Sequence, residues 1–436
     1  LENPPERRRV WQSLPFITLV ALALRLVAVG FLYKDTWNDF RDHLLFGFEI
    51  GRIARSLAAG HGYGNPMLME TGPTAWMTPI YPYLLAGVFR IFGIYSRNSA
   101  LVILSFNALC SALTCIPIFL MARRSFGRSV AVVACWIWAL SPYSIYISGG
   151  FVWETCLSAL LLAILFLWTL QLREHPGRWS WLGFGILWGV SALTNASTLA
   201  LFPFLTGWAL YPLRRTRVSR QQWLAATVLA VLGLAIAVLP WQVRNYRTFH
   251  TPITLRDNFW LEFWVGNDGH SESWMDENAH PSINEAELAE FVRRGEIPYM
   301  QEKRREALSY LAQHPGQFVA LSFRRFLYMW TGFWNLAPEN LEIEFHNPAN
   351  AYLATGLTAA MLIGLWQALR NTRDATWPYV LVLVFYPLIF YVTHPAMRYR
   401  HMMEPEMVVL AAVGVRFLVL GAKGKIPLAT ERLHAA

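Results

Sequence analysis

The sequence is short of charge. Of its 436 residues only 15% are Asp, Glu, Lys or Arg, whereas 55% are hydrophobic and 15% aromatic. Soluble domains typically carry about 25% charged residues, so a length that would otherwise suit two or three soluble domains lacks the charge to cover them. The chain reads as a polytopic membrane protein. Cysteine is scarce too: Cys110, Cys115, Cys135 and Cys156 stand in or beside apolar segments, without CxxC or Cys/His spacing. That excludes a zinc ribbon or dithiol motif and leaves buried free thiols. No continuous basic face accompanies the Arg-dominated net charge of +9, so nucleic acid is not indicated. Internal repeats and low-complexity stretches are also missing. Arg7, Arg8 and Arg9 followed by apolar residues 14–33 imitate a secretory signal. The apolar stretch is longer than the roughly 7–15 residues of a signal core, and no small-residue cleavage site follows, so it is read as a first spanning helix.

A hydrocarbon core about 30 Å thick needs roughly 20 apolar helical residues. Ten runs are read as spans: 14–33, 99–121, 130–148, 153–171, 181–195, 197–213, 223–241, 351–369, 377–393 and 402–420. The fifth and sixth are short and meet in a tight hairpin at Thr194-Asn195. Basic clusters at Arg7–Arg9, Arg123/Arg124/Arg128, Arg173/Arg178, Arg214/Arg215/Arg217/Arg220, Arg370/Arg373 and Lys423/Lys425 alternate with these spans. By the positive-inside rule both termini are then cytoplasmic. The expected organisation is an N-terminal transmembrane module at 1–241 with a first extracytoplasmic loop at 34–98, an extracytoplasmic loop domain at 242–350, and a C-terminal transmembrane module at 351–436. Long loops in an economical chain are usually functional. Ser282 followed by Glu285 forms a capping-box pattern for a helix through Arg294, and a second loop helix runs from Pro298 to Gln313. The aromatic and basic stretches 79–92 and 315–334 suit the membrane interface.

Ionisable residues at the loop-bearing ends of spans are the candidates for chemistry. Glu154 opens the fourth span there; the bland alternative is a carboxylate favoured by a helix N-terminus. In the first loop Asp35, Asp39, Asp42 and Glu49 offer carboxylates. Asp42 and Glu49 are seven apart, two helical turns on nearly one face, and Glu49 sits among apolar residues, against the alternative of a solvated face. Arg25, inside the first span, either pairs with a carboxylate or snorkels. Two basic clusters break the positive-inside rule: Arg244-Asn245, ending the seventh span, and Arg398-Tyr399-Arg400-His401, opening the tenth. Arginine's planar donors suit phosphate. An anionic ligand or lipid headgroups would explain both clusters.

With these segments in order along residues 14–420, the chain resembles the bacterial GT-C glycosyltransferases related to protein O-mannosyltransferases, aminoarabinose transferases and lipopolysaccharide-core transferases. The resemblance rests on Ala54-Arg55-Ser56-Leu57-Ala58-Ala59-Gly60-His61-Gly62-Tyr63, Pro73-Thr74-Ala75-Trp76-Met77-Thr78-Pro79-Ile80-Tyr81-Pro82, Trp153-Glu154, Pro240-Trp241-Gln242-Val243-Arg244-Asn245, and Arg398-Tyr399-Arg400 with Glu404-Pro405. It implies an all-α polytopic fold and inverting transfer of a sugar from a polyprenyl-phosphate donor to a lipid, glycan or protein acceptor, at the extracytoplasmic face of a bacterial inner membrane. It also implies an acidic residue in the first loop. In many relatives that carboxylate falls where Phe46 and Gly47 stand here, so Glu49 takes the role of base with Asp42 in reserve. Glu154 matches the second acidic position, where it would orient the acceptor or hold a metal. Arg244, Asn245, Arg398, Tyr399, Arg400 and His401 would receive the donor phosphate. Some relatives bind a divalent metal; here His270 and Glu272 merely share a polar loop, and the metal ligands stay unassigned. The alternatives are a transporter or flippase of lipid-linked glycans and a non-catalytic lipid-glycan binding subunit.

Overall fold

The computed structural model describes residues 10–36, 46–174, 177–215, 220–271, 275–334 and 348–421. Among these the chain is almost wholly helical, and every run read as a span coincides with a helix or a helix pair. The long apolar helices are α1 (Leu14–Thr36), α4 and α5 (Arg97–Leu113, Cys115–Phe126), α6 and α7 (Arg128–Leu140, Pro142–Gly150), α8 (Thr155–Glu174) and α9 (Arg178–Thr194). They continue with α10 (Phe202–Arg215), α11 (Arg220–Phe249), α16 (Pro348–Asn371), α17 and α18 (Arg373–Phe385, Leu388–Val392) and α20 (Glu404–Leu420). Six are long and apolar enough to cross a membrane, or seven when the bent pair α6/α7 counts as one.

The α6/α7 break follows from Pro142. Proline lacks the N–H that would bond the Trp138 carbonyl four residues back, and the two helices meet at a 48° bend. Arg25 of α1 fills the gap. Its Nη2 donates to Trp138 O at 3.1 Å, Nη1 to Ala139 O at 3.2 Å and Ala21 O at 3.1 Å, and Nε to Ser111 Oγ at 2.7 Å. Arg25 therefore neither pairs with a carboxylate nor snorkels; it staples a broken helix to two neighbours. Close helix packing elsewhere uses small residues: a Cβ on Gly364 or Gly414 would overlap backbone of the partner in the α16/α20 pair.

The two long loops fold on one another. The first holds α2 (Glu49–Ala58) and α3 (Ile80–Phe92); the second holds α12 (Phe259–Asn267), α13 (Glu285–Arg294), α14 (Glu296–Gln313) and α15 (Pro315–Thr331). Phe46, Ile50, Trp76 and Tyr81 of the first loop share a buried apolar cluster with Leu288, Phe291, Tyr299 and Met300 of the second. A separate cluster fills the bundle, around Trp138, Trp181, Trp188 and Met407. The aromatic and basic stretches 79–92 and 315–334 form α3 and α15. One local expectation is corrected: α13 is capped by Asn284, whose side chain accepts from Ala286 N and Glu287 N. Ser282 is released from that duty.

Candidate active site

Ser282 turns instead to Glu49, donating from Oγ to Oε1 at 2.6 Å. Glu49 starts α2 after a turn in which Gly47 has φ +77° and Phe48 φ 42°. Gly47 needs its missing side chain twice over: for the positive φ, and because a Cβ would overlap the Val152 carbonyl oxygen. That close approach sets the start of α2 against Val152-Trp153-Glu154, so the carboxylates of the first loop and the fourth span come to one place. Glu154 Oε1 accepts from Asn195 Nδ2 at 2.9 Å. Asn195 is itself fixed, since its Oδ1 caps the 3₁₀ turn Ala196–Leu201 by accepting from Ser197 N at 3.0 Å and Ser197 Oγ at 2.6 Å. Glu154 Oε2 is buried without a hydrogen-bond partner. An oxygen held this way stays ready for a donor from outside the protein.

Both carboxylates line a cavity of about 860 Å³ between the bundle and the loop layer. Its positive charge comes from Arg398 and Arg256. The Arg398 guanidinium lies 4.1 Å from the Trp153 ring centroid and donates to Tyr399 Oη at 3.1 Å; Tyr399 stacks on Phe390 at 4.5 Å. Arg256 donates from Nε to Asn258 Oδ1 at 2.6 Å and pairs with Glu262 at 3.5 Å. Glu262 also meets His394 Nε2 at 2.8 Å and accepts from Asn258 Nδ2 at 2.8 Å. Burial alone would raise the Glu262 carboxyl, but the His394 hydrogen bond and the nearby Arg256 charge outweigh it and bring Glu262 down to about 2.

Of the residues picked from sequence, Glu49, Glu154, Arg398 and Tyr399 line this cavity, while Asp42 lies outside the described residues. Arg244, Asn245, Arg400 and His401 do not line it. Arg244 donates to Thr74 O at 2.6 Å and Tyr63 O at 2.7 Å, tying the first loop to α11, and Asn245 donates to Ile253 O at 3.3 Å at the start of the second loop. Arg400 is wholly buried, donating to Trp330 O at 3.0 Å and Ala354 O at 3.1 Å beside Glu404. His401 bonds Glu404 at 2.8 Å and stacks on Trp138. The physical reason is the helical turn of α19 (Met397–His401). Consecutive residues point about 100° apart, so Arg398 and Tyr399 face the cavity and the next two face the bundle. Arg256, Glu262, His280 and His394 were missed. His394 carries the signal that singled out Glu154, an ionisable residue at the loop-bearing end of a span.

A second, apolar concavity of about 370 Å³ lies on the far side of α19, between α6/α7 and α16/α20, lined by Leu140, Leu353, Leu357, Val408 and Val415. Beside the main cavity, Asp268, His270 and Asp276 bring three ligand atoms within 4.8 Å of one another. Burial, with the Asp276 carboxyl adding to it, pushes Asp268 up to about 6. An oxygen and imidazole donor set of this kind fits a divalent cation. His270 groups with two aspartates among the described residues; Glu272 lies outside them.

Residues 76–241 match the family model described as dolichyl-phosphate-mannose-protein mannosyltransferase. The fold is similar to the archaeal oligosaccharyltransferase AglB from Archaeoglobus fulgidus, in a complex with an inhibitory peptide and a dolichol-phosphate: TM-score 0.53, 16% identity, 96% of this chain and 53% of that one. The Archaeoglobus fulgidus oligosaccharyltransferase complexed with Zn and sulfate matches at TM-score 0.55 and 14% identity, over 96% of this chain and 51% of that one. The chain thus spans about half the length of these structures. ArnT from Cupriavidus metallidurans bound to undecaprenyl phosphate matches at TM-score 0.40 and 15% identity, over 93% and 79% of the two chains. No curated protein sequence matches the chain. The fold class read from the sequence is borne out: the described residues form an all-α polytopic bundle with several helices apolar enough to cross a membrane, and its fold is that of these oligosaccharyltransferase structures.

Proposed function

We propose that the protein transfers a sugar from a polyprenyl-phosphate carrier to an acceptor hydroxyl, with inversion. The observation that carries this reading is the single cavity in which Glu49 and Glu154 face Arg398 and Arg256. Glu49 takes the proton of the acceptor hydroxyl as its oxygen bonds the anomeric carbon. The bond from that carbon to the carrier phosphate breaks, and its electron pair leaves on the phosphate oxygen. General-base assistance of this kind contributes typically about 10²–10⁴ in rate. Arg398 and Arg256 stabilise the charge gathering on the leaving phosphate; of the six phosphate-binding residues expected from sequence, Arg398 and Tyr399 keep that role. Glu154, held by Asn195 with one oxygen open, orients the acceptor. Asp42 remains the reserve base.

The match to a mannosyltransferase family model over 76–241 supports the reaction class, and the dolichol-phosphate and peptide in the similar oligosaccharyltransferase support the donor and acceptor chemistry. The apolar concavity behind α19 suits the carrier's prenyl chain, which does not leave the bilayer cheaply at about 0.8 kcal/mol per buried CH₂. Asp268, His270 and Asp276 would hold a divalent cation, which would supply positive charge beside the cavity. The charge pattern supports both termini cytoplasmic and the site, with the loop domain at 242–350, extracytoplasmic; the bacterial inner membrane is what the resemblance implies. The test is a transfer assay with purified protein and a panel of undecaprenyl-phosphate sugars, reading free undecaprenyl phosphate with and without divalent metal. Acceptor-dependent release lost in Glu49→Gln supports the reading. Tight lipid binding without release from any donor would move it to the transporter or non-catalytic alternative.

A further inference from the structure

Behind the cavity wall two acids meet that the proposed reaction does not use. Glu296, at the start of α14, accepts from Thr74 Oγ1 at 2.5 Å and from Ala75 N at 2.5 Å. Asp257 N donates to Ala75 O at 3.3 Å. Both Asp257 oxygens are buried and meet no hydrogen-bond donor outside the pair; the side chain they face is the Glu296 carboxyl. Three separate stretches of chain therefore converge on this pair, and two of them carry cavity walls: Trp76 and Met77 follow Ala75, while Arg256 and Asn258 flank Asp257. The charged and titratable groups around the pair are Arg244 from α11, Tyr63 from the first loop, and Arg256. Arg244 spends its donors on the Thr74 and Tyr63 carbonyls, and Arg256 on Asn258 and Glu262.

The geometry points to a proton-held clamp: Asp257 and Glu296 share one proton, and in that state they fix the Trp76–Met77 wall of the cavity to its Arg256–Asn258 wall. Two carboxylates side by side in a buried pocket do not both ionise readily. Glu296 also accepts from Thr74 and Ala75, which anchors the pair to residues 74–75. The proton belongs on Glu296, whose carboxyl burial and the adjacent Asp257 charge raise well above the ordinary range, and it is donated to Asp257. When it leaves, repulsion falls on the joint between residues 74–75 and Asp257, and Trp76 and Met77 move with it. Asp257 and Glu296 are thus positioning residues. Burial raises both carboxyls, Asp257 to about 6. With the folded value raised, stability is full below the ordinary carboxyl range and declines as pH rises through the folded value.

The inference rests on the cavity being the functional site, but its test needs no transfer activity, so the two can fail separately. Melting of the purified protein is followed from pH 5 to 8 for wild type, Asp257→Asn and Glu296→Gln. Each amide supplies permanently the hydrogen that the pair shares. Wild type is expected to lose several degrees across this range, and the variants to stay nearly flat and to exceed wild type at pH 8. Variants that parallel the wild-type slope, or that both fail to fold, overturn the clamp. Maleimide labelling of Met77→Cys, taken as the ratio of rates in wild-type and Asp257→Asn backgrounds so that thiol ionisation cancels, should rise severalfold from pH 6 to 8. A constant ratio overturns the positioning of the cavity wall.

Discussion

Gly47→Ala tests the contact that brings the two acidic positions together. The added methyl group incurs two costs. One is the positive φ of +77°, about 1–2 kcal/mol for a residue with a Cβ. The other is overlap with the Val152 carbonyl oxygen, where overpacking costs about 1–3 kcal/mol. Gly60 supplies the control, because it shares the first cost but not the second: its φ is +86° and nothing lies within 4 Å of its Cβ position. The difference between the two alanine variants therefore isolates the overlap. At roughly 2 °C or less per kcal/mol for a chain longer than 250 residues, Gly47→Ala should melt a few degrees below Gly60→Ala in the same detergent. The transfer assay should separate them further. Relief of the overlap pushes the Phe48-Glu49 turn away from Trp153-Glu154, and a displacement of about 1 Å in a catalytic constellation can cost 10²-fold. Equal melting temperatures and equal turnover for the two variants would refute the argument that this glycine fixes the site.

Glu49→Gln is expected to lower transfer by about 10²–10⁴ with little change in melting; near-normal turnover would remove Glu49 as base and bring Asp42 forward. Arg398→Ala should weaken donor use while leaving the fold intact. Arg400→Ala should do the opposite, destabilising by about 3–5 kcal/mol because buried Glu404 loses its arginine partner and keeps only His401; melting and donor titration of both variants decide this. For Glu262, held down at about 2, the stability contribution is full above the ordinary carboxyl value of about 4.3 and is lost as pH falls below it toward 2. His394→Gln should shrink that acid-side loss, and an unchanged slope between pH 4.5 and 3 would show that His394 does not hold the carboxylate.

The low charge, the apolar runs and their spacing determined the membrane class, the helical content and the position of each long helix, because burying backbone in lipid leaves the helix as the main solution for such runs. Position along the chain also sufficed for Glu154 and Arg398, each at a span end next to a long loop. The sequence did not determine which way side chains turn within a short helix. Arg398 and Arg400 are chemically alike and two residues apart, yet one faces the cavity and the other is locked to Trp330, Ala354 and Glu404. Nor did it predict where Ser282 would spend its hydroxyl, since a cap and a bond to Glu49, 233 residues away, are equally compatible with the local pattern. Arg25 and Arg244 were legible as unusual charges, but only the packed structure supplied the carbonyls that each satisfies. The same holds for Asp257 and Glu296. Periodicity is local and survives in the sequence; the partners of buried polar groups come from distant segments and exist only once the two loops have folded together.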